Sequence, residues 1–285
     1  MERLKVIFFI FYTALPNKEW AFFVAIMVAP PDDNLKVYEQ PKVVRSYVPN
    51  TKLAKAEEVL LTTHSEDYAG KSVLDIGVGA GRTTAALAAS ASEYIGIDYS
   101  HAMVAACKER FGALKNARFV QEDARTLSAF GEHSIDTAFF SFNGIDTVDM
   151  EGRKAVFCAV HRVLKRGGIF IFSFHNAAYI DSVYSLRMPK NPFKWMGAVR
   201  LWQGIRKING PIAQYRDKDY FFIKDGAEDF QLDICYLRPS FQLGMLLEAG
   251  FELTDCLAAH SGKPLDPAAA DEFRGPWIYL RCRAI

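Results

Sequence analysis

Residues 71–84, KSVLDIGVGAGRTT, constrain this chain more than any other stretch. Lys71 to Ile76 reads as a short β-branched and apolar strand. Gly77, Gly79 and Gly81 then stand at every second position, and Thr83 to Ala91 is alanine-rich and reads as a helix. A strand, a tight glycine turn and a helix N-terminus in succession let the backbone approach a ligand where a Cβ would collide. The same arrangement aims unpaired helix N–H groups and the positive dipole end at that ligand.

Two ligand classes use such a turn. A dinucleotide fold wants G-x-G-x-x-G with a pyrophosphate at the helix N-terminus. Here the sixth position of that pattern is Arg82, so the third glycine is missing. What stands instead is Asp75-x-Gly77-x-Gly79-x-Gly81. An acid just ahead of the glycines repels a pyrophosphate and suits a ligand that carries an ammonium and a sulfonium. This stretch resembles the first motif of class I S-adenosylmethionine-dependent methyltransferases. An NAD(P)-dependent oxidoreductase on a related fold is the alternative, and a cofactor-binding module without catalysis is a third reading.

The segments that follow fit an alternation of strands and helices. Glu93–Asp98 is a second strand ending in an acid, 17 residues past Gly81. A carboxylate at that edge can accept both hydroxyls of a ribose. Ser100 is placed to cap a helix over 101–112, and Met103, one turn in, offers an apolar side chain to an adenine face. Residues 117–123 form a third strand ending in Asp123, with Ala124 next. The resemblance puts that acid near the adenine amino group and a backbone N–H at the ring. Residues 134–142 form a fourth strand, and Glu151–Lys165 a helix stopped by cations and by Gly167-Gly168. The run VLKRGGIFIFSF, holding the fifth strand, closely resembles the family's segment at this place. Four β–α alternations and a fifth strand make a doubly wound parallel sheet, which binds ligands at the carboxyl ends of its strands.

The ends of the chain and one insert differ. Residues 35–50 read as extended or loop, followed by a helix from about Thr51 to Tyr68 with Leu53, Ala56, Leu60 and His64 on one face. Residues 237–250 read as a helix, and 251–257 and 277–283 as two strands. The fold class expected is therefore α/β, a doubly wound, mostly parallel seven-stranded Rossmann-like sheet with an antiparallel last strand. A lid is inserted after strand five, at about 176–229. Within 181–224 nine Lys/Arg face three Asp. Residues 193–207 read as a basic amphipathic helix, and 218–224 with 230–237 as a hairpin. That surface is either a solvated cap with an apolar underside or one that meets a membrane or an anionic substrate. Residues 1–30 hold two apolar runs split by Pro16-Asn17-Lys18-Glu19, each too short to span a bilayer. They read as a membrane-touching segment or as translation begun ahead of a true start at Met27, and a cofactor made in the cytosol argues against a signal peptide.

Composition limits the function classes. A net charge of +1 gives no global argument for a polyanionic partner. The five cysteines form no C-x-x-C pair, which fits reduced thiols in the cytoplasm and no zinc site. The loop after strand four lacks Asn/Asp-Pro-Pro-Tyr and Pro-Cys, which argues against a nucleic-acid substrate. The resemblance implies methyl transfer by in-line displacement, S-adenosylmethionine as cofactor, S-adenosylhomocysteine as product and no metal. Its expected cofactor residues are Asp75, Gly77, Gly79, Gly81, Asp98, Tyr99, Met103, Asp123, Ala124 and Ser141. Tyr47 is expected to cover the cofactor. A small or lipid-like acceptor would be oriented by Asn143, Asn176 and Tyr179. His175, directly after strand five, is the candidate base.

Overall fold

The computed structural model describes residues 33–285; the expectations for residues 1–30 lie outside the described residues. Nine strands share one sheet. β1 (Ser72–Ile76) pairs in parallel with β2 (Glu93–Asp98) on one side and β4 (Ile135–Phe140) on the other, and β3 (Ala117–Gln121) lies outside β2. β5 (Leu164–Asn176) pairs in parallel with β4 along one edge and antiparallel with β9 (Trp277–Ala284) along the other. β8 (Phe251–Ala258) closes that side against β9. These seven strands are the doubly wound, mostly parallel sheet that the alternation implies.

The hairpin β6 (Tyr220–Ile223) and β7 (Ile234–Leu237) adds two strands to the expected seven. β5 outruns β4, and its last residues His175 and Asn176 pair with Tyr236 and Leu237 of β7. The surplus length of β5 leaves backbone groups at the carboxyl edge, which are shared among β7, the Asp146 carboxylate and the Pro276 carbonyl.

Helices cover both faces: α4 (Thr84–Ala88), α5 (His101–Phe111), α6 (Met150–Val163) and α9 (Pro239–Glu248), with α3 (Lys55–Thr63) ahead of β1. Ser100 caps α5 by accepting from the Met103 N–H, as its position implies, and Asp149 caps α6 through the Gly152 N–H. Two apolar clusters flank the sheet. One gathers Leu74, Phe157, Phe170, Phe172 and Leu280, and the other Leu60, Val73, Leu87, Tyr94 and Tyr279.

Residues 35–50 are not extended. They form α1 (Asp33–Tyr38) and α2 (Pro41–Tyr47). Pro41 sets φ for the first turn of α2. Helices this short have no stability of their own. Val37 and Val43 supply it by packing in a third cluster with Met103 and with Ile180, Tyr184 and Ile205 from the segment between β5 and β7. That segment carries α7 (Ile180–Val183) and α8 (Trp195–Asn209), the amphipathic helix foreseen at 193–207. Polar bonds join the same two pieces: Gln40 Nε2 donates to Gln231 Oε1 at 2.9 Å and Lys42 pairs with Asp229 at 3.0 Å.

Ile205 is the one buried apolar side chain of α8. Ile205→Ala removes about 2–5 kcal/mol of packing. The loss should fall on this third cluster, raising hydrogen exchange across α8, α1 and α2 while β1, β4 and β5 keep their protection.

Candidate active site

The turn after β1 is left-handed at each glycine, with φ of +61° at Gly77, +54° at Gly79 and +83° at Gly81. A Cβ on Gly77 would stand 2.8 Å from the Phe140 ring, and one on Gly79 would stand 3.3 Å from Tyr47. Both φ and space therefore require glycine here. Tyr47, the aromatic that the sequence suggests would cover a cofactor, packs against Gly79 of this loop. Its ring meets that of Tyr38 edge-on at 6.2 Å, and Tyr38 meets Tyr99 at 6.0 Å.

Three buried carboxylates surround this turn. Asp75 accepts from Thr83 Oγ1 and, at 2.6 Å, from the Tyr94 hydroxyl, which also contacts Thr84 Oγ1 at 2.9 Å. It thus ties the loop, α4 and β2 together from beneath. Asp98, at the end of β2, accepts the Gly79 N–H at 3.0 Å on one oxygen and the Ser100 N–H at 2.9 Å on the other. Glu57, on α3, accepts both guanidinium nitrogens of Arg82 at 2.6 Å, the Ala54 N–H at 2.6 Å and the Tyr279 hydroxyl at 2.9 Å. Arg82 also donates to Ser141 Oγ at 2.9 Å and lies 4.6 Å over the Phe142 ring. The residue that breaks the dinucleotide pattern therefore clamps α3 to the loop and to the end of β4.

Past β4 the chain turns sharply. Phe142 and Asn143 both have positive φ, +56° and +61°. Such a pair is costly without glycine. The Asn143 N–H donates to Ser173 Oγ at 2.8 Å, while both polar atoms of its buried side chain lack a partner. Three residues on, Asp146 reaches His175. One Asp146 oxygen accepts the His175 backbone N–H at 2.7 Å and meets Nδ1 at 2.6 Å, and the other pairs with the fully buried Arg153. Arg153 Nη1 donates to Gln242 Oε1 at 2.7 Å. An ionised Asp146 makes Nδ1 the protonated nitrogen and leaves Nε2 as the free lone pair. The His175 ring sits between Tyr236, at 4.8 Å, and Trp277, at 5.5 Å, and Trp277 meets Phe142 at 5.0 Å.

Several other expected site residues have protein partners of their own. Both Asp123 oxygens are engaged by Arg125, at 2.6–3.0 Å. Ala124 packs against the core under the sheet. Met103 is buried in the third cluster. The Asn176 side chain is spent on structure: its amide donates to the carbonyls of Phe273 and Gly275 and its oxygen accepts the Ala178 N–H. Tyr179 accepts from Arg187 at the surface of the segment after β5. Spacing in the sequence missed Glu57, Asp146, Arg153 and Gln242. Among the described residues no group of three or more His, Cys, Asp or Glu is arranged to hold a metal ion.

Residues 73–168 match the family model of a methyltransferase domain. The uncharacterized methyltransferase YcgJ of Bacillus subtilis is 33% identical over 190 residues, 63% of this chain and 69% of that protein. The chain belongs to the class I S-adenosylmethionine-dependent methyltransferases. Its match to the demethylmenaquinone methyltransferase of Clavibacter sepedonicus is 37% over 100 residues and spans 39% of that protein's length, well short of two thirds. In fold it is similar to the 1,6-didemethyltoxoflavin-N1-methyltransferase of Burkholderia thailandensis, solved with 1,6-didemethyltoxoflavin and S-adenosylhomocysteine bound. The TM-score is 0.55 at 15% identity, covering 96% of this chain and 98% of that one. The methyltransferase's matched segment runs from β1 into β5, the stretch that builds the glycine turn, Asp98 and Asp146.

Burial pushes the carboxyls of Asp75 and Asp98 up to about 6 from 3.8. Between those values the folded methyltransferase holds protons that the unfolded chain has released. Stability therefore falls as pH rises through this window, by up to about 3 kcal/mol for each group once both are ionised. Asp75→Asn keeps an acceptor for Thr83 and Tyr94 but cannot ionise. Urea midpoints at pH 4.5 and 7 should show a smaller decline for this variant than for the wild type. An unchanged decline would locate the pH sensitivity elsewhere.

Proposed function

We propose that this chain moves a methyl group from S-adenosylmethionine to a small or lipid-like acceptor whose reacting group lies beside His175. The observation that carries the reading is the Asp98 carboxylate. Backbone N–H groups hold each of its oxygens at the carboxyl edge of the sheet, and each oxygen retains capacity for one ribose hydroxyl. The unpartnered side chain of Asn143 fits the same ligand, since a buried amide with no partner is costly until one arrives. When bound, the cofactor supplies an electrophilic methyl group on a sulfonium.

The chain's own residues then do three things. Gly77, Gly79 and Gly81 allow the backbone to lie close to the ligand. Tyr47, with α1, α2 and the segment after β5 serving as a lid, keeps water from it. Asp146 fixes His175 so that Nε2 can take a proton from a hydroxyl or amine acceptor as it attacks. Alignment of two reactants supplies the larger share of rate, up to about 7–11 kcal/mol in favourable systems. Tyr236, Trp277 and Phe142 give the acceptor side an aromatic wall, which favours a flat or apolar acceptor.

Calorimetric titration with S-adenosylmethionine, S-adenosylhomocysteine and NADH tests the cofactor. Binding of the first two, weakened at least about a hundredfold in Asp98→Ala, is expected, because the loss strips two charge-assisted hydrogen bonds of about 1.5–3 kcal/mol each. Binding of NADH alone would overturn the reading.

Transfer of a labelled methyl group into a panel of phenols, quinols and amines tests the base. His175→Asn should lower turnover by about 10²–10⁴ while S-adenosylhomocysteine affinity stays within about twofold. Undiminished turnover would leave alignment alone as the source of rate.

A further inference from the structure

The inner face of α8 is fixed to the fold through Ile205 and through Trp202, whose indole N–H donates to the Tyr184 carbonyl at 3.0 Å. Its other end behaves differently. Phe193 is 95% exposed and Met196 69%, and Leu186, Met188 and Trp195 in the same stretch are exposed too. These side chains are presented by an ordered backbone. Asn191 caps the turn by accepting the Phe193 N–H at 3.0 Å, and Trp195 Nε1 donates to the Pro189 carbonyl at 3.0 Å. A cluster of large apolar side chains held out in water is unfavourable unless something covers it.

The charges around the cluster narrow what the cover is. From Ser182 to Arg216 the chain holds seven Lys/Arg and no Asp or Glu. Among the described residues, none of Lys190, Lys194, Arg200 and Lys207 pairs with a carboxylate. A second copy meeting the same patch across a two-fold axis would bring these cations face to face. Nucleic acid would satisfy the cations but would leave Met188, Met196 and Leu186 without an apolar partner. An anionic bilayer satisfies both: acyl chains and the interface take Phe193, Trp195 and Met196, and lipid phosphates take the lysines.

We propose that the tip formed by residues 186–200 docks the protein on an anionic membrane surface, with Phe193 and Met196 inserted at the interface. This surface lies on α8 and is independent of the reading of the active site. It requires no span: among the described residues no helix is long and apolar enough to cross a membrane.

The full chain should be mixed with sucrose-loaded vesicles of phosphatidylcholine, with or without phosphatidylglycerol, and the pelleted fraction measured at low and physiological salt. Pelleting with the anionic vesicles, reduced by salt, is expected. Lys190→Ala/Lys194→Ala should weaken it about twenty-five-fold, about fivefold for each cation near the surface. Phe193→Ser/Met196→Ser should weaken it about tenfold or more. All four side chains are exposed, so both variants should keep the wild-type circular dichroism spectrum and thermal midpoint. Three results would overturn the proposal: equal pelleting without phosphatidylglycerol, undiminished pelleting of Phe193→Ser/Met196→Ser, which would put the contact elsewhere in the chain, and a concentration-dependent dimer abolished by that variant, which would assign the tip to a second copy.

Discussion

Three carboxylates taken out of water hold the glycine turn, and the site depends on how each is satisfied. A left-handed turn has few internal hydrogen bonds, so its shape comes from outside. Asp98 fixes the Gly79 amide from β2, Asp75 fixes Thr83 and Tyr94 from β1, and Glu57 fixes Arg82 from α3. The three are not equivalent. Glu57 has a guanidinium to neutralise it and four donors to satisfy it. Removing Arg82 would leave a buried charge alone, which costs about 3–5 kcal/mol in comparable pairs. Asp75 and Asp98 have only neutral donors, and burial accordingly raises both toward neutrality. Such unrelieved charge is what a ligand with hydroxyl or ammonium donors can relieve, so the strain sits where binding can use it.

The scaffold was legible in the sequence because it rests on short-range patterns. The strand–glycine–helix run, the acid closing β2, the Ser100 cap and the helix before β5 each lie within a few residues of the feature that defines them. The pairings around the proposed base do not. His175 and Asp146 are 29 residues apart, and Arg153 and Gln242 are 89 apart. Asp146 reaches His175 from the loop that follows the turn at Phe142–Asn143, and Arg153 reaches Gln242 from one helix to another. Asn143-Gly144 marks a loop after β4, but nothing in the sequence says where that loop leads, and its first left-handed residue is Phe142. The extended reading of residues 35–50 failed for a related reason. Their helices are made by Val37 and Val43 finding a cluster whose other members lie beyond residue 100. Asn176 shows the converse: the sequence suggests a substrate contact there, but the carbonyls of Phe273 and Gly275 claim its amide.

The cover over the carboxyl edge is likewise made of two pieces far apart in sequence. Of the polar contacts between them, the exposed ion pair of Lys42 with Asp229 is worth about 0–1 kcal/mol and the part-buried hydrogen bond of Gln40 with Gln231 about 0.5–1.5 kcal/mol. Cohesion therefore resides in the apolar cluster of Val37, Val43, Met103 and Ile205. On the reading proposed above, a ligand lies beneath this cover and enters by parting that cluster or by passing beside it. α8 belongs to both surfaces, with Ile205 facing the cluster and Met196 facing water. Anything that grips the outer face bears on the cover only to the extent that it binds the joined and parted arrangements differently. A tip whose backbone is held by Asn191 and Pro189, rather than by the cluster, can be gripped without disturbing the joined state. Docking and closure are then separable properties of one helix.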